Sequence, residues 1–283
     1  MAHIERFAPS PTGYLHLGHA FSALTAWKQA QTTGGTFLLR IEDTDRTRVR
    51  PEYEQAIYDD LHWLGLNWPS PVLRQSDNVE SYQTALNFLN HSGLTYACEC
   101  TRSVIKMAQS LPTYGPDGLV YPGTCRDKKL ADTKDTAIRL NMAKAIELLG
   151  GGDGVNHLSF TDISDGNCEH FLNADRLLSE CGDIVLARRD TGVAYHLAVV
   201  VDDAAQNVTH VTRGQDLFEA TQIHRVLQAL LGLPTPIYRH HRLILDENGK
   251  RLAKRDDSRA IRKYREDGLK PQDIREMVGL GDR

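Results

Sequence analysis

His16 and His19 flank a Leu-Gly pair in PSPTGYLHLGHA, at the point where a Pro- and Gly-bearing turn gives way to a segment with helical apolar spacing. Three kinds of chemistry fit such a pair. As metal ligands the two rings need a third protein donor at ligand spacing, and the neighbouring sequence supplies none. As core residues they are two polar rings crowded onto a turn. As phosphate-handling groups they stand where a helix starts, with unbonded N–H groups and a positive dipole end already attractive to anions. Residues at i and i+3 share a helix face, so both rings can donate to phosphate oxygens whose charge grows as pyrophosphate leaves. Gly13 and Gly18 permit close backbone approach by a nucleotide.

A second chemical cluster lies further on. Cys98 and Cys100 in YACECTRS, with Cys125 in YPGTC, form a C-x-C followed by a third cysteine 25 residues later. Three thiolates leave tetrahedral zinc one ligand short; water and Glu99 are open as the fourth, and three merely structural cysteines are the plain alternative. Cys168 and Cys181 lie apart and read as ordinary buried thiols. A third feature is the basic run GKRLAKRD at residues 249–256, which in isolation reads as a solvated loop.

These groups need elements to hold them. IERFAPSP reads as a short strand entering a turn, GHAFSALTAWKQAQTT as a helix with apolar residues near helical spacing, and TFLLRIED as a compact apolar strand. That succession is a βαβ start and predicts a parallel α/β sheet. Residues 52–66, 81–92 and 220–231 read as further helices, and residues 96–128 as an irregular excursion rich in Cys, Tyr, Pro and Gly. GGGDG at 150–154 reads as a tight turn, AYHLAVVVDD as a buried strand, VTHVTRGQDL as a strand and turn, and the tail as two short helices split by Gly-Leu-Lys-Pro.

Composition bounds the partners. The 283 residues carry 25% charged and 41% hydrophobic side chains with a net charge of −4, so any RNA contact must use a local basic patch. One is available: from Arg242 onward there are 12 Lys and Arg against 9 Asp and Glu. No apolar stretch approaches the roughly 18 residues needed to span a bilayer. The start MAHIERFAPSP lacks the basic-then-apolar pattern of a secretion signal, so a cytoplasmic location and no membrane partner are expected.

PSPTGYLHLGHA resembles the HIGH signature of class I aminoacyl-tRNA synthetases, and RFAPSPTG with LLRIEDTD narrows the resemblance to glutamyl-tRNA synthetases and their close relatives. GKRLAKRD resembles that family's KMSKS loop, with Lys254 retained, Arg251 in place of the first lysine and Ala253 in place of the serine. The resemblance implies a Rossmann-like parallel sheet of the class I synthetase type, a zinc-bearing insertion and a short C-terminal helical region like a stem-contact segment. It implies Mg-ATP as substrate, bound by His16, Gly18, His19 and Lys254, with His16, His19 and Lys254 catalytic. It also implies a glutamate pocket of Arg6, Ala8, Ser10, Glu42, Tyr195 and Arg213. There the arginines face carboxylates, Glu42 faces the ammonium, and Tyr195 and Ser10 orient the substrate. The plain alternatives are a helix cap or ion pair for Glu42 and a core position for Tyr195. Tyr121 enters through the resemblance as the unusual fourth ligand of one structural zinc held with Cys98, Cys100 and Cys125.

The expected organisation is residues 1–94 as the first half of the catalytic fold, 95–190 as the insertion, 191–240 as its second half and 241–283 as loop and helical tail. No anticodon-binding domain is expected. A chain of that form resembles the glutamyl-queuosine tRNA(Asp) synthetases, paralogues that activate L-glutamate with ATP and esterify it to queuosine in the anticodon stem-loop of tRNA(Asp). A monomer is expected. The competing readings are the core of a truncated or split glutamyl-tRNA synthetase charging the tRNA 3′ end, and a non-catalytic nucleotide- or RNA-binding paralogue.

Overall fold

The computed structural model describes residues 2–133, 135–189, 192–245 and 259–281, and its chain forms two compact units. The first comprises Met1–Asn78, Asn207–Asp216 and Pro236–Arg283; the second comprises Val79–Gln206 and Leu217–Thr235.

The first unit is built on parallel strands in the order Leu73–Arg74, Thr36–Ile41, Ile4–Phe7, His210–Gly214, Ile237–His241. The central strand and its neighbour Thr36–Ile41 are joined through the helix Leu17–Thr32, the expected βαβ unit. Register sorts the side chains by their alternation. Glu5 pairs with Phe37 and Phe7 with Leu39, so Phe7, Phe37, Leu39 and Ile41 share the face covered by Ala20, Phe21, Ala23 and Leu24 of the helix. Those residues are the unit's core, and truncating Leu24 there to Ala costs about 2–5 kcal/mol. Arg6 pairs with Leu38, and Arg213 with His240, on the opposite face. Pro51 opens the helix Pro51–Trp63 where its missing N–H costs nothing. The tail forms the two short helices expected, Ile261–Glu266 and Pro271–Met277, and Ile261, Ile274 and Val278 bury themselves in the same core.

The second unit holds an antiparallel sheet in the order Gly192–Val193, Val185–Arg188, Ala137–Leu140, Thr95–Cys98, and the antiparallel pair Ser159–Asp162 and Cys168–Phe171. The longest helices that accompany them among the described residues are Val79–His91, Tyr195–Ala205 and Ala220–Leu231. The Tyr82 hydroxyl reaches both carboxylate oxygens of buried Asp202, at 2.8 and 2.9 Å.

Several local expectations are corrected. AYHLAVVVDD is the helix Tyr195–Ala205, not a strand. Its residues His196–Val200, Asp202 and Asp203 are buried, so no polar stripe reveals a helical period. The glycine run at 150–154 opens the helix Gly151–Asn156, with Gly150 at φ 97° supplying the left-handed entry. The excursion at 96–128 contains the strand Thr95–Cys98, the helix Arg102–Met107 and a short pairing of Tyr114–Gly115 with Gly118–Leu119. Cys181 is buried as expected, whereas Cys168 is exposed. Among the described residues no helix is long and apolar enough to cross a membrane.

Candidate active site

His16 is the N-cap of the helix Leu17–Thr32, and its Nδ1 accepts from the Gly18 N–H at 3.1 Å. The backbone N–H of His16 in turn donates to Nδ1 of His19 at 3.2 Å, and the rings lie 3.8 Å apart. A nitrogen that accepts carries no proton, so both neutral imidazoles hold theirs on Nε2. The helix terminus therefore carries two imidazole donors whose tautomers are fixed by the backbone. Gly18 leaves room for the His16 ring: a Cβ there would stand 3.0 Å from its Cε1, so the ring would have to shift by a few tenths of an ångström.

The segment that follows the GKRLAKRD run is attached beside this pair. Ala260 bridges His16 in an antiparallel contact, and the Ile261 N–H donates to the Leu15 carbonyl at 2.8 Å. Lys254 itself, with Arg251 and Ala253, lies outside the described residues.

On the sheet face opposite the core, alternation brings Arg6, Arg40 and Arg213 to one side. Arg6 and Arg213 are each 5% exposed and Arg40 is 0% exposed. Glu42 joins them, with Oε1 3.3 Å from an Arg40 amino group. These guanidinium groups and the Glu42 carboxylate share one buried face, a charge pattern that an anionic and cationic ligand complements. The ion-pair alternative for Glu42 is thus realised, on the same face as the other candidates. The loop Ala8–Ser10 runs beside it: the Pro9 carbonyl accepts from the Glu42 N–H at 3.1 Å, with Ala8 and Ser10 half-buried. The next acid, Asp43, is occupied structurally, accepting from the N–H and hydroxyl of Ser76 at 2.8 and 2.6 Å.

Tyr195 lies in the second unit, as the first residue of its helix, with its ring edge-on to His224 at 5.6 Å. Sequence reasoning missed Arg40 and His240. Arg40 interrupts the apolar run FLLRI, and that interruption is the signal that finds it; His240 sits between Arg239 and His241 in IYRHH and carries no such signal.

In the second unit the sulfurs of Cys98, Cys100 and Cys125 all lie within 4.8 Å of one another, with Cys100 and Cys125 at 3.5 Å. A tetrahedral zinc with bonds of about 2.3 Å spaces its sulfurs by roughly 3.8 Å, so the donor set fits that ion. The Tyr121 hydroxyl stands 3.4 and 3.5 Å from the sulfurs of Cys98 and Cys100 and accepts from the Cys125 N–H at 2.8 Å. Glu99, the other protein candidate, turns outward to Lys128 at 3.0 Å and is 55% exposed. The geometry therefore favours Tyr121. Arg139 lies over the Tyr121 ring at 3.9 Å, and Arg189 donates to the carbonyls of Cys98 and Cys100, pinning the C-x-C turn. Burial pushes the Cys100 thiol up to about 11, and a bound cation would reverse that preference.

The family model for the catalytic domain of class I tRNA synthetases (E and Q) matches residues 4–281. The chain is 52% identical to a glutamyl-Q tRNA(Asp) synthetase of Rhodobacter capsulatus, over 98% of this chain and 100% of that one. It is 36% identical to a glutamate–tRNA ligase of Lawsonia intracellularis over 98% of this chain, but spans only 57% of that longer protein. Among solved structures, a glutamate tRNA ligase from Elizabethkingia meningosepticum in complex with its amino acid superimposes with a TM-score of 0.75 at 26% identity, covering 99% of this chain and 61% of that one. A parallel-sheet unit with a histidine-capped first helix, and this agreement over nearly the full chain, place the protein among the class I tRNA synthetases of the glutamate and glutamine family, which are ATP-dependent ligases.

Proposed function

We propose that the protein activates L-glutamate with ATP and transfers it to queuosine in the anticodon loop of tRNA(Asp). The observation that carries the amino-acid assignment is the sheet face holding Arg6, Arg40 and Arg213 together with Glu42. A substrate with two carboxylates and one ammonium matches that charge pattern, since guanidinium forks pair with carboxylates through two parallel hydrogen bonds. An amide side chain would leave one fork short of its anion, so glutamine is discriminated against. Ala8 and Ser10 complete the pocket in this reading. The acceptor is inferred from the relatives named for glutamyl-Q tRNA(Asp).

In the first step an α-carboxylate oxygen of glutamate attacks the α-phosphorus of ATP and pyrophosphate departs. The Nε2–H groups of His16 and His19 donate to phosphate oxygens as charge develops, Gly18 allows the backbone to approach, and Lys254 supplies a further cation. Mg²⁺, arriving with ATP, neutralises phosphate charge. In the second step a hydroxyl of the cyclopentene diol of queuosine attacks the acyl carbon and AMP leaves. Positioning and electrostatics carry the reaction, without a protein nucleophile. One zinc on Cys98, Cys100, Tyr121 and Cys125 braces the insertion at 95–190. The basic tail contacts RNA phosphates, a salt-sensitive contact blind to sequence.

Glutamate-dependent ATP–pyrophosphate exchange without any tRNA tests the reading. Exchange in the protein alone is expected. Exchange that begins only when tRNA(Glu) is added supports the competing reading, the core of a glutamyl-tRNA synthetase charging the 3′ end, which the 36% identity to a longer glutamate–tRNA ligase keeps in play.

A further inference from the structure

We propose that His240 is a positioning residue that fixes the plane of the Arg213 guanidinium for a substrate carboxylate; this rests on the reading of Arg213 as a glutamate-binding residue.

Arg213 and His240 are directly opposed on neighbouring parallel strands, His210–Gly214 and Ile237–His241. Nε of Arg213 donates to Nε2 of His240 at 3.1 Å, with the two residues 5% and 3% exposed. An arginine Nε can only donate, so Nε2 of His240 is the acceptor and the imidazole is neutral, with its proton on Nδ1. Tyr238, two residues earlier on the same face, lies 5.2 Å from the guanidinium carbon. The Tyr238 and His240 rings are stacked with 7° between their planes at 5.8 Å. The guanidinium thus meets a two-ring ledge, one ring beneath it and the other bonded to its Nε edge.

That arrangement has a chemical consequence. A bidentate carboxylate bond needs guanidinium and carboxylate nearly coplanar, and an arginine side chain is otherwise free to turn about its last torsions. Bonding Nε to a strand-borne acceptor removes that freedom before substrate arrives. A neutral acceptor does so without neutralising the guanidinium charge. A carboxylate at position 240 would orient it too, but would compete with the substrate.

The test is steady-state ATP–pyrophosphate exchange with His240→Gln, His240→Asn, His240→Glu and Arg213→Ala. The Gln Oε1 occupies the position of Nε2, whereas the Asn amide reaches only that of Nδ1. Losing a hydrogen bond to a charged group corresponds to a factor of about ten to a hundred. We expect KM for glutamate to rise by that factor in His240→Asn and His240→Glu and to stay within about threefold of wild type in His240→Gln. KM for ATP should be unchanged in all three. All three variants keep a polar side chain, and thermal melting checks their folding. Equal glutamate KM in the Gln and Asn variants overturns the proposal, as does a parallel rise in the KM for ATP. Normal glutamate KM in Arg213→Ala overturns the underlying reading instead, so the two failures are distinguishable.

Discussion

The backbone of His16 fixes the proton of His19: the His16 N–H donates to Nδ1 of His19 at 3.2 Å, while Nδ1 of His16 accepts in its turn from the Gly18 N–H at 3.1 Å. One set of hydrogen bonds both caps the helix and decides which ring nitrogens can donate to a nucleotide. Structure and chemistry are separable here by substitution. His16→Asn places an amide oxygen where Nδ1 stood and keeps a favoured cap residue, so stability should change by no more than about 0.5 kcal/mol. Its ATP–pyrophosphate exchange should fall by about a hundredfold or more, because the Nε2 donor is gone. Denaturant melts and exchange rates on the same preparation check both halves.

Much of the first unit was legible because its periods are clean. The strand–helix–strand start followed from two apolar strands around a helix with one buried face, and the cap position of HLGH followed from where that periodicity begins. Tyr195–Ala205 was misread as a strand because burial on nearly all sides erases the 3.6-residue stripe and leaves an apolar run that suits either element. Arg40 and His240 escaped for another reason. Their meaning lies in which residues they oppose across strands, and register is a tertiary fact that one sequence does not display.

Buried Arg40 and partly buried Glu42 lie 3.3 Å apart, so their substitutions should differ in kind. Glu42→Gln removes the partner for the substrate ammonium, and KM for glutamate should rise at least about tenfold with KM for ATP unaltered. Arg40→Met removes a charged hydrogen bond from the Glu42 carboxylate and should also lower unfolding free energy by about 1.5–3 kcal/mol. Unfolding curves with exchange kinetics separate the two outcomes; identical behaviour of both variants contradicts the assignment.

Glu5 predicts a pH dependence of stability. Burial raises its carboxyl from 4.5 to about 7, with the Thr212 hydroxyl 3.2 Å from Oε1 opposing the rise. A raised folded pKa means the native state holds the proton longer than the unfolded chain. The associated stability is therefore complete below pH 4.5 and is lost as pH rises through 7. The loss attributable to Glu5 is about 3 kcal/mol at most, because each tenfold difference in proton affinity between the two states is worth ~1.4 kcal/mol. Glu5→Gln should flatten the decline in unfolding free energy between pH 5 and 8 by that order. A variant whose pH slope matches wild type refutes the assignment.

The cysteine cluster predicts metal content. Elemental analysis should find about one zinc per chain, and Cys98→Ser should lose it together with several degrees of melting temperature. Tyr121→Phe should retain zinc at an affinity lower by about ten- to a hundredfold, because three thiolates remain. Zinc far below one per chain in the wild type removes this site from the account.

The central claim concerns where glutamate ends up. Incubating the protein with radiolabelled glutamate, ATP and tRNA(Asp), with and without queuosine, and then digesting the RNA, tests it most directly. Label should appear on the queuosine nucleoside of the anticodon loop and be absent when the tRNA lacks that base. Label on the 3′ terminal adenosine would contradict the account.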